Sequence, residues 1–348
     1  MRYRFILGLI VPAVVSTAAF VHLGVNSGAQ APAAPAIVSG TPYIDTHAHL
    51  EPHPLDASVT SARQAMVAQH ARMLIFLPPP ERPTADPFDS EALRDALRDS
   101  PKAFAFLGGG GTLNAIIQDA VRSGGAEPKV AQQFRKRAEE ILRQGAIGFG
   151  EMTAEHFAGG TSYQYAPADH PLFLLLSDIA ARHHVVIDLH MEVVPQPMAL
   201  PVDLKSPPNP GELHENIAAF ERLLRHNRAA RIVWAHLGND NTGQRTVTLS
   251  RRLLQAHPNL FLEYKLDPLT PGKTALVDAN GGLTGEWLQL LRDFPDRFVI
   301  GSDQHYPAPA NGPQRWERAV QLLNQLPPDL RAKVAAENAI RIYRLPRS

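Results

Sequence analysis

Eight apolar runs of strand length, each followed by a segment of helical period, constrain this chain more than any other feature. The runs are YIDTHAH (43–49), MLIFLP (73–78), AFAFLGG (103–109), AIGFGEM (146–152), VVIDLHM (185–191), RIVWAHL (231–237), LFLEYKL (260–266) and FVIGSD (298–303). Between them lie amphipathic stretches such as SARQAMVAQHARM, QQFRKRAEEILRQ, PLFLLLSDIAARHH and NIAAFERLLRHN. Strands that alternate with helices pair in parallel, and eight such units predict a closed (β/α)8 TIM barrel. A length of 348 residues suits one such domain. An open doubly wound sheet competes with this, but it needs a phosphate-binding glycine pattern after the first strand. LGGGGT follows the third run and lacks the G-x-G-x-x-G spacing. Its glycines read instead as a place where backbone passes close to the barrel mouth. Two connections are long, 110–130 and 192–214, and are expected to be lids or binding loops.

The first residues differ in kind. Arg2 and Arg4 precede an apolar run from Phe5 to Val25, with no acidic residue before Asp45. A basic start followed by such a run reads as an export signal, and Ala29-Gln30-Ala31 has the small-x-small form of a cleavage site. Pro32 directly after it disfavours cleavage, and the run nears the ~20 residues that span a bilayer, so a membrane anchor is the alternative. The expected organisation is a signal or anchor over 1–31, a Pro- and Ala-rich linker over 32–42, and a barrel over 43–348. Such a protein would be periplasmic or secreted, or tethered to the inner membrane by that segment.

Composition narrows the function. The formal charge is zero and no basic run stands out, so the electrostatic footprint of a nucleic-acid binder is missing. There is no cysteine, which excludes thiolate metal sites and cysteine nucleophiles. Any metal must be held by His, Asp, Glu or a modified Lys.

His47 and His49 end the first run. Strand side chains alternate faces, so the two point the same way, roughly 6–7 Å apart along the backbone. Two imidazoles converging on one point suit a divalent ion; capping and solvation are the plainer roles for such a pair alone. The other runs tip the balance. Glu151 ends the fourth, His190 the fifth, His236 the sixth and Asp303 the eighth. Barrel enzymes carry their chemistry at the C-terminal ends of the strands, and ionisable groups gathered there read as a metal site.

IDTHAH, AIGFGEM, IDLHME, VWAHLGN and VIGSDQHY resemble the successive strand motifs of the amidohydrolase superfamily of metal-dependent hydrolases. The tail LRAKVAAENAIRIYRL is similar to its C-terminal helix, with an Asn-Ala pair before the last turn. The likeness covers about residues 43–345 and is nearest the subgroup of aminocarboxymuconate semialdehyde decarboxylase and various lactone and amide hydrolases. It implies that His47, His49, His190 and Asp303 ligate one divalent ion, with zinc the first candidate. It makes His236 a second ligand or a hydrogen-bond donor to the substrate oxygen. Glu151 stands where two-metal members place a bridging carboxylate, so one or two ions are implied. Glu192 shares a face with His190 and is open to metal, substrate or solvent; Lys265 and His305 are rim candidates for binding substrate. Glu263 and Lys265 share a face, and an internal ion pair or recognition of substrate charge are the two readings.

A divalent ion lowers the pKa of water to about 7 and polarises a carbonyl. Asp303 then serves as general base and acid, and His236 stabilises the oxyanion. Hydrolysis of an amide, ester or lactone is the expected reaction on a small-molecule substrate. The alternatives are a non-oxidative decarboxylase and a non-catalytic extracytoplasmic metal- or solute-binding protein. A homo-oligomer is left open.

Overall fold

The computed structural model describes residues 41–80, 86–157, 163–204, 209–239, 241–265, 274–308 and 314–347. The expected export segment over 1–31, and the linker up to residue 40, lie outside the described residues. Among the described residues no helix is long and apolar enough to cross a membrane.

Eight parallel strands close on themselves. The first (Tyr43–Leu50) pairs with the second (Ala71–Phe76), and the second with the third (Phe104–Phe106). The third breaks at Leu107 and resumes at Gly108–Gly109 against the fourth (Gly148–His156). The fifth (Val186–Met191), sixth (Arg231–Trp234), seventh (Leu260–Tyr264) and eighth (Phe298–Ile300) follow in order. The eighth also breaks and resumes at Gln304–Tyr306, where His49 faces His305 across the closing seam. Across both breaks the backbone stays bonded, through Leu107 N–H to Phe76 O at 2.9 Å and Asp303 N–H to His47 O at 2.8 Å. The ring is therefore a (β/α)8 barrel, as the alternating pattern predicts.

Two apolar layers hold it. Phe76, Phe149, Leu189, Trp234 and Tyr264 pack outward under the helices in the larger buried cluster. Ile44, Ile75, Leu107, Val186, Val233, Phe261 and Val299 form a separate inner layer with Ala339, Ile342 and Tyr343 of the last helix. The tail thus plugs the barrel. Asn338 fastens it there, donating from Nδ2 to Pro295 O at 2.9 Å and Phe298 O at 2.8 Å. Those bonds satisfy carbonyls beside the eighth strand that burial would otherwise leave costly.

The glycine run does bring backbones together. A Cβ at Gly110 would stand 2.1 Å from Pro78 O, and one at Gly111 2.1 Å from Phe88 O. Only residues without a side chain fit between these segments. Residues 110–130 are not an open loop, since they hold a helix at Leu113–Arg122 and the start of another at Pro128–Arg143. The alternation of Leu113, Ile117 and Ala120 inward drives that helix into the core. The 192–214 connection carries a small hairpin of Met198–Ala199 with Glu212–Leu213; residues 205–208 are outside the described set.

Left-handed backbone cuts two of the strands short of their apolar runs. The sixth stops at Trp234, because His236 and Leu237 take left-handed backbone (φ 54° and 55°) in a short 3-10 turn. The eighth breaks before Asp303, which is also left-handed (φ 53°). Such backbone is costly for residues other than glycine and gathers at functional sites.

Candidate metal centre

Glu151 is the hub. Its Oε2 lies 3.6 Å from His47 Nε2 and 3.6 Å from His49 Nε2. Its Oε1 lies 2.7 Å from His190 Nδ1 and 3.6 Å from His236 Nε2. Asp303 Oδ1 is 3.2 Å from His49 Nε2 on the outer side. The strand ends converge as the alternation rule requires, and the centre they form is almost wholly buried.

The inner nitrogens are held from behind. His49 Nδ1 bonds Leu77 O at 2.9 Å, and Glu263 takes both His47 Nδ1 and His236 Nδ1 at 3.0 Å. Asp188 Oδ1 approaches His47 Nδ1 at 3.5 Å. Burial pushes the Asp188 carboxyl up to about 6, against the pull of His47. Burial also opposes charge on Glu151, but His190, His236 and His47 outweigh it and hold the carboxyl well below its ordinary value. Burial lowers His190 in turn, yet Glu151 and Glu192 carry it to about 9.

Asp303 sits at the mouth. Lys265 Nζ and Arg315 Nη1 both reach its Oδ2 at 2.6 Å, and Arg315 Nη1 also donates to its backbone O at 2.6 Å. Burial resists ionisation, but Lys265, His236 and His49 together keep the carboxyl well below the usual range. Glu192 Oε1 accepts from Asn241 Nδ2 at 2.8 Å and Asn239 Nδ2 at 3.3 Å, and lies 3.5 Å from His190 Nε2. The His305 ring lies 4.6 Å from the His49 ring and tilted to it, with Nδ1 2.9 Å from Glu51 Oε1. All nine residues singled out in the sequence therefore meet at this mouth.

Four others were not singled out as site residues. Glu263 pairs with two histidines rather than remaining in an ion pair with Lys265, because it lies one strand repeat deeper. Asp188 precedes His190 by the same two residues. His156 packs 4.7 Å from the His190 ring, and burial brings its pKa down to about 4. Arg315 comes from the start of a helix (Arg315–Gln325) and has no strand-end signal at all.

The donor set fits a divalent cation. His47 Nε2 is buried with no hydrogen-bond partner among the described residues, as is Glu192 Oε2. A tetrahedral ion with donors at ~2.0–2.1 Å sets neighbouring donors about 3.3–3.4 Å apart, close to the spacing seen around His47, His49, Glu151 and Asp303. The possible ligand groups include His47 with His49 and Glu151, Glu151 with His190 and His236, and His49 with Asp303 and His305. The His190–Glu151 contact is shorter and is a hydrogen bond as it stands.

A parallel eight-stranded barrel with imidazoles and carboxylates gathered at its C-terminal mouth defines the class: a barrel protein with side-chain clusters able to hold a metal ion. The chain belongs to the amidohydrolase family, whose model, described as "Amidohydrolase", matches residues 44–345. That membership makes a metal-dependent hydrolase or a related activity the family setting of the site. An apo crystal structure of the ATU3138 protein of Agrobacterium tumefaciens is similar in fold, with a TM-score of 0.55 at 14% identity over 89% of this chain and 98% of that one. A crystal structure of an amidohydrolase II is similar at a TM-score of 0.51 and 13% identity, over 87% and 99%. No curated protein matches the chain.

Proposed function

We propose that the protein is a metal-dependent hydrolase acting on an amide, ester or lactone. The observation that carries this is the Glu151 carboxylate set between two histidine pairs, one oxygen toward each. In this reading His47, His49 and Asp303 would hold one cation and His190 and His236 a second, with Glu151 placed between the two histidine pairs. Zinc is the first candidate, since imidazole and carboxylate suit it. A cation bound there supplies Lewis acidity and brings water into a reactive range near neutral pH.

The chain's own groups do the rest. Asp303 Oδ1 faces the centre while Lys265 and Arg315 occupy Oδ2. A proton that Asp303 takes from the attacking water is released readily to the leaving group, because Lys265, His236 and His49 keep this carboxyl strongly acidic. Glu192 and the paired Asn239 and Asn241 line the side toward the 192–214 connection and orient the substrate. His305 and Lys265 form the rim beside Asp303.

One observation favours a second reading. Arg315 and Lys265 together put positive charge at the mouth, which suits a substrate carboxylate and a non-oxidative decarboxylase of the aminocarboxymuconate semialdehyde decarboxylase type. The test is turnover by metal-replete protein on ester, lactone, amide and aromatic-carboxylate substrates. Hydrolysis is expected, is lost with a chelator while circular dichroism keeps the barrel spectrum, and returns with zinc. Release of carbon dioxide without hydrolysis supports the second reading, and full turnover by metal-free protein contradicts both.

We also propose that the chain is exported through residues 1–31, on the basic start and apolar run alone. Removing those residues should leave a soluble, active enzyme, and cell fractionation should place the full chain outside the cytosol. Full-length protein confined to the cytosol would contradict export.

A further inference from the structure

We propose that Glu263 is the positioning residue of this centre, clamping His47 and His236 by Nδ1 so that Nε2 of both turns toward Glu151. The inference rests on the metal-site reading above and adds to it a residue that sets the tautomer of two ligands at once.

Glu263 lies in the seventh strand and is fully buried. Its Oε2 is 3.0 Å from His47 Nδ1, and its Oε1 is 3.0 Å from His236 Nδ1. Oε1 also accepts from the backbone N–H of His236 at 3.2 Å. An ionised carboxylate only accepts, and a neutral imidazole carries one N–H. Both Nδ1 atoms therefore bear a proton, and in the neutral rings that holding a cation requires, both Nε2 atoms present lone pairs. Each of those lone pairs faces a different oxygen of Glu151, at 3.6 Å. His236 is thereby made a ligand, since a lone pair at Nε2 cannot donate to an oxyanion. This chooses between the two roles open to it in the sequence.

The clamp also couples the two halves of the centre. His47 stands with His49 on the Oε2 side of Glu151, and His236 stands with His190 on the Oε1 side. One carboxylate fixes a member of each. The left-handed turn at His236 is what brings its ring and its N–H back onto Glu263. Asp188 reaches only the His47 ring, at the longer distance of 3.5 Å, and does not join the halves.

Gly301 is the space this arrangement needs. A Cβ there would lie 2.4 Å from Glu263 Cδ and 2.7 Å from each of its oxygens. Gly301 is not among the residues with left-handed backbone, so the Glu263 side chain, and not a φ requirement, calls for glycine. The Gly-Ser-Asp sequence thus supplies a hole for the clamp as well as the carboxylate of Asp303.

The experiment uses the full chain, stripped of metal and titrated with zinc by calorimetry. Imidazole tautomers are read in the zinc-loaded protein by long-range proton–nitrogen NMR. Glu263→Gln keeps the shape but offers one acceptor oxygen for two N–H groups. Gly301→Ala substitutes neither a ligand nor Glu263 but pushes the Glu263 carboxylate aside. Each variant should weaken zinc binding roughly 10–100-fold, on both halves of the centre together. The wild type should show Nδ1–H on His47 and His236, and the variants should lose that pattern on at least one of them. A wild type that binds zinc with Nε2–H on either histidine overturns the clamp, whether or not a variant folds. So does unchanged affinity in both variants. A wild type that binds no cation overturns the functional reading on which the clamp rests.

Discussion

Asp303→Asn should lower turnover on the order of 10²–10⁴-fold, the usual worth of a placed general acid–base group. The carboxylate is shared by His49, Lys265 and Arg315, so the amide loses a proton acceptor and a charged ligand together. The substitution also leaves Lys265 and Arg315 facing each other without the charge that holds them. Hydrogen bonds to charged groups contribute ~1.5–3 kcal/mol each, so the metal-free variant should be less stable than wild type at neutral pH. The sign follows from the carboxyl, which the folded protein holds below its ordinary value of 3.8. Its stabilisation is present above that value and fades as pH falls through the lower folded value. Urea melts of the two proteins should therefore differ most near neutrality and converge in acid. A variant with wild-type turnover and a pH-independent stability gap would contradict both roles.

Glu151→Gln should remove one of two bound cations while leaving the barrel folded. The wild-type carboxylate offers an oxygen to each histidine pair; the amide offers one oxygen and one NH2 group. The NH2 group repels a cation from whichever side it faces. Metal analysis after zinc loading should fall from two ions per chain to one, and turnover should fall at least 10²-fold, as when a preorganised electrostatic contact is lost. An unchanged zinc content would place Glu151 behind a ligand rather than between two. A wild type that saturates at one ion would remove the bridge.

Much of this was legible in the chain because a barrel of parallel strands turns sequence order into position. His47, His49 and His190 lie near strand ends, and the period of two sends each inward, whereas Glu151 sits mid-strand, because the fourth strand runs on to His156 past the apolar run. The glycine run likewise announced close backbone approach at Gly110 and Gly111. What escaped the sequence has physical causes. Glu263 and Lys265 share a face, but one strand repeat apart they occupy different layers, and the deeper one met imidazoles instead of its neighbour. The left-handed backbone of His236 and Asp303 is disfavoured locally and is imposed by tertiary contacts, so apolar runs overstate both strands. Arg315 reaches Asp303 from a helix start across a stretch with no periodic signal. The helix at Leu113–Arg122 was hidden by the neighbouring glycines, which made the whole connection look open.

The most direct test of the account is anomalous X-ray diffraction from crystals of the zinc-loaded protein. Two peaks about 3.5–4 Å apart are expected, one on each side of the Glu151 carboxylate. One should lie among His47, His49 and Asp303, and the other between His190 and His236. Zinc bound away from Glu151, or a cluster that takes up no zinc when every residue is intact, would contradict it.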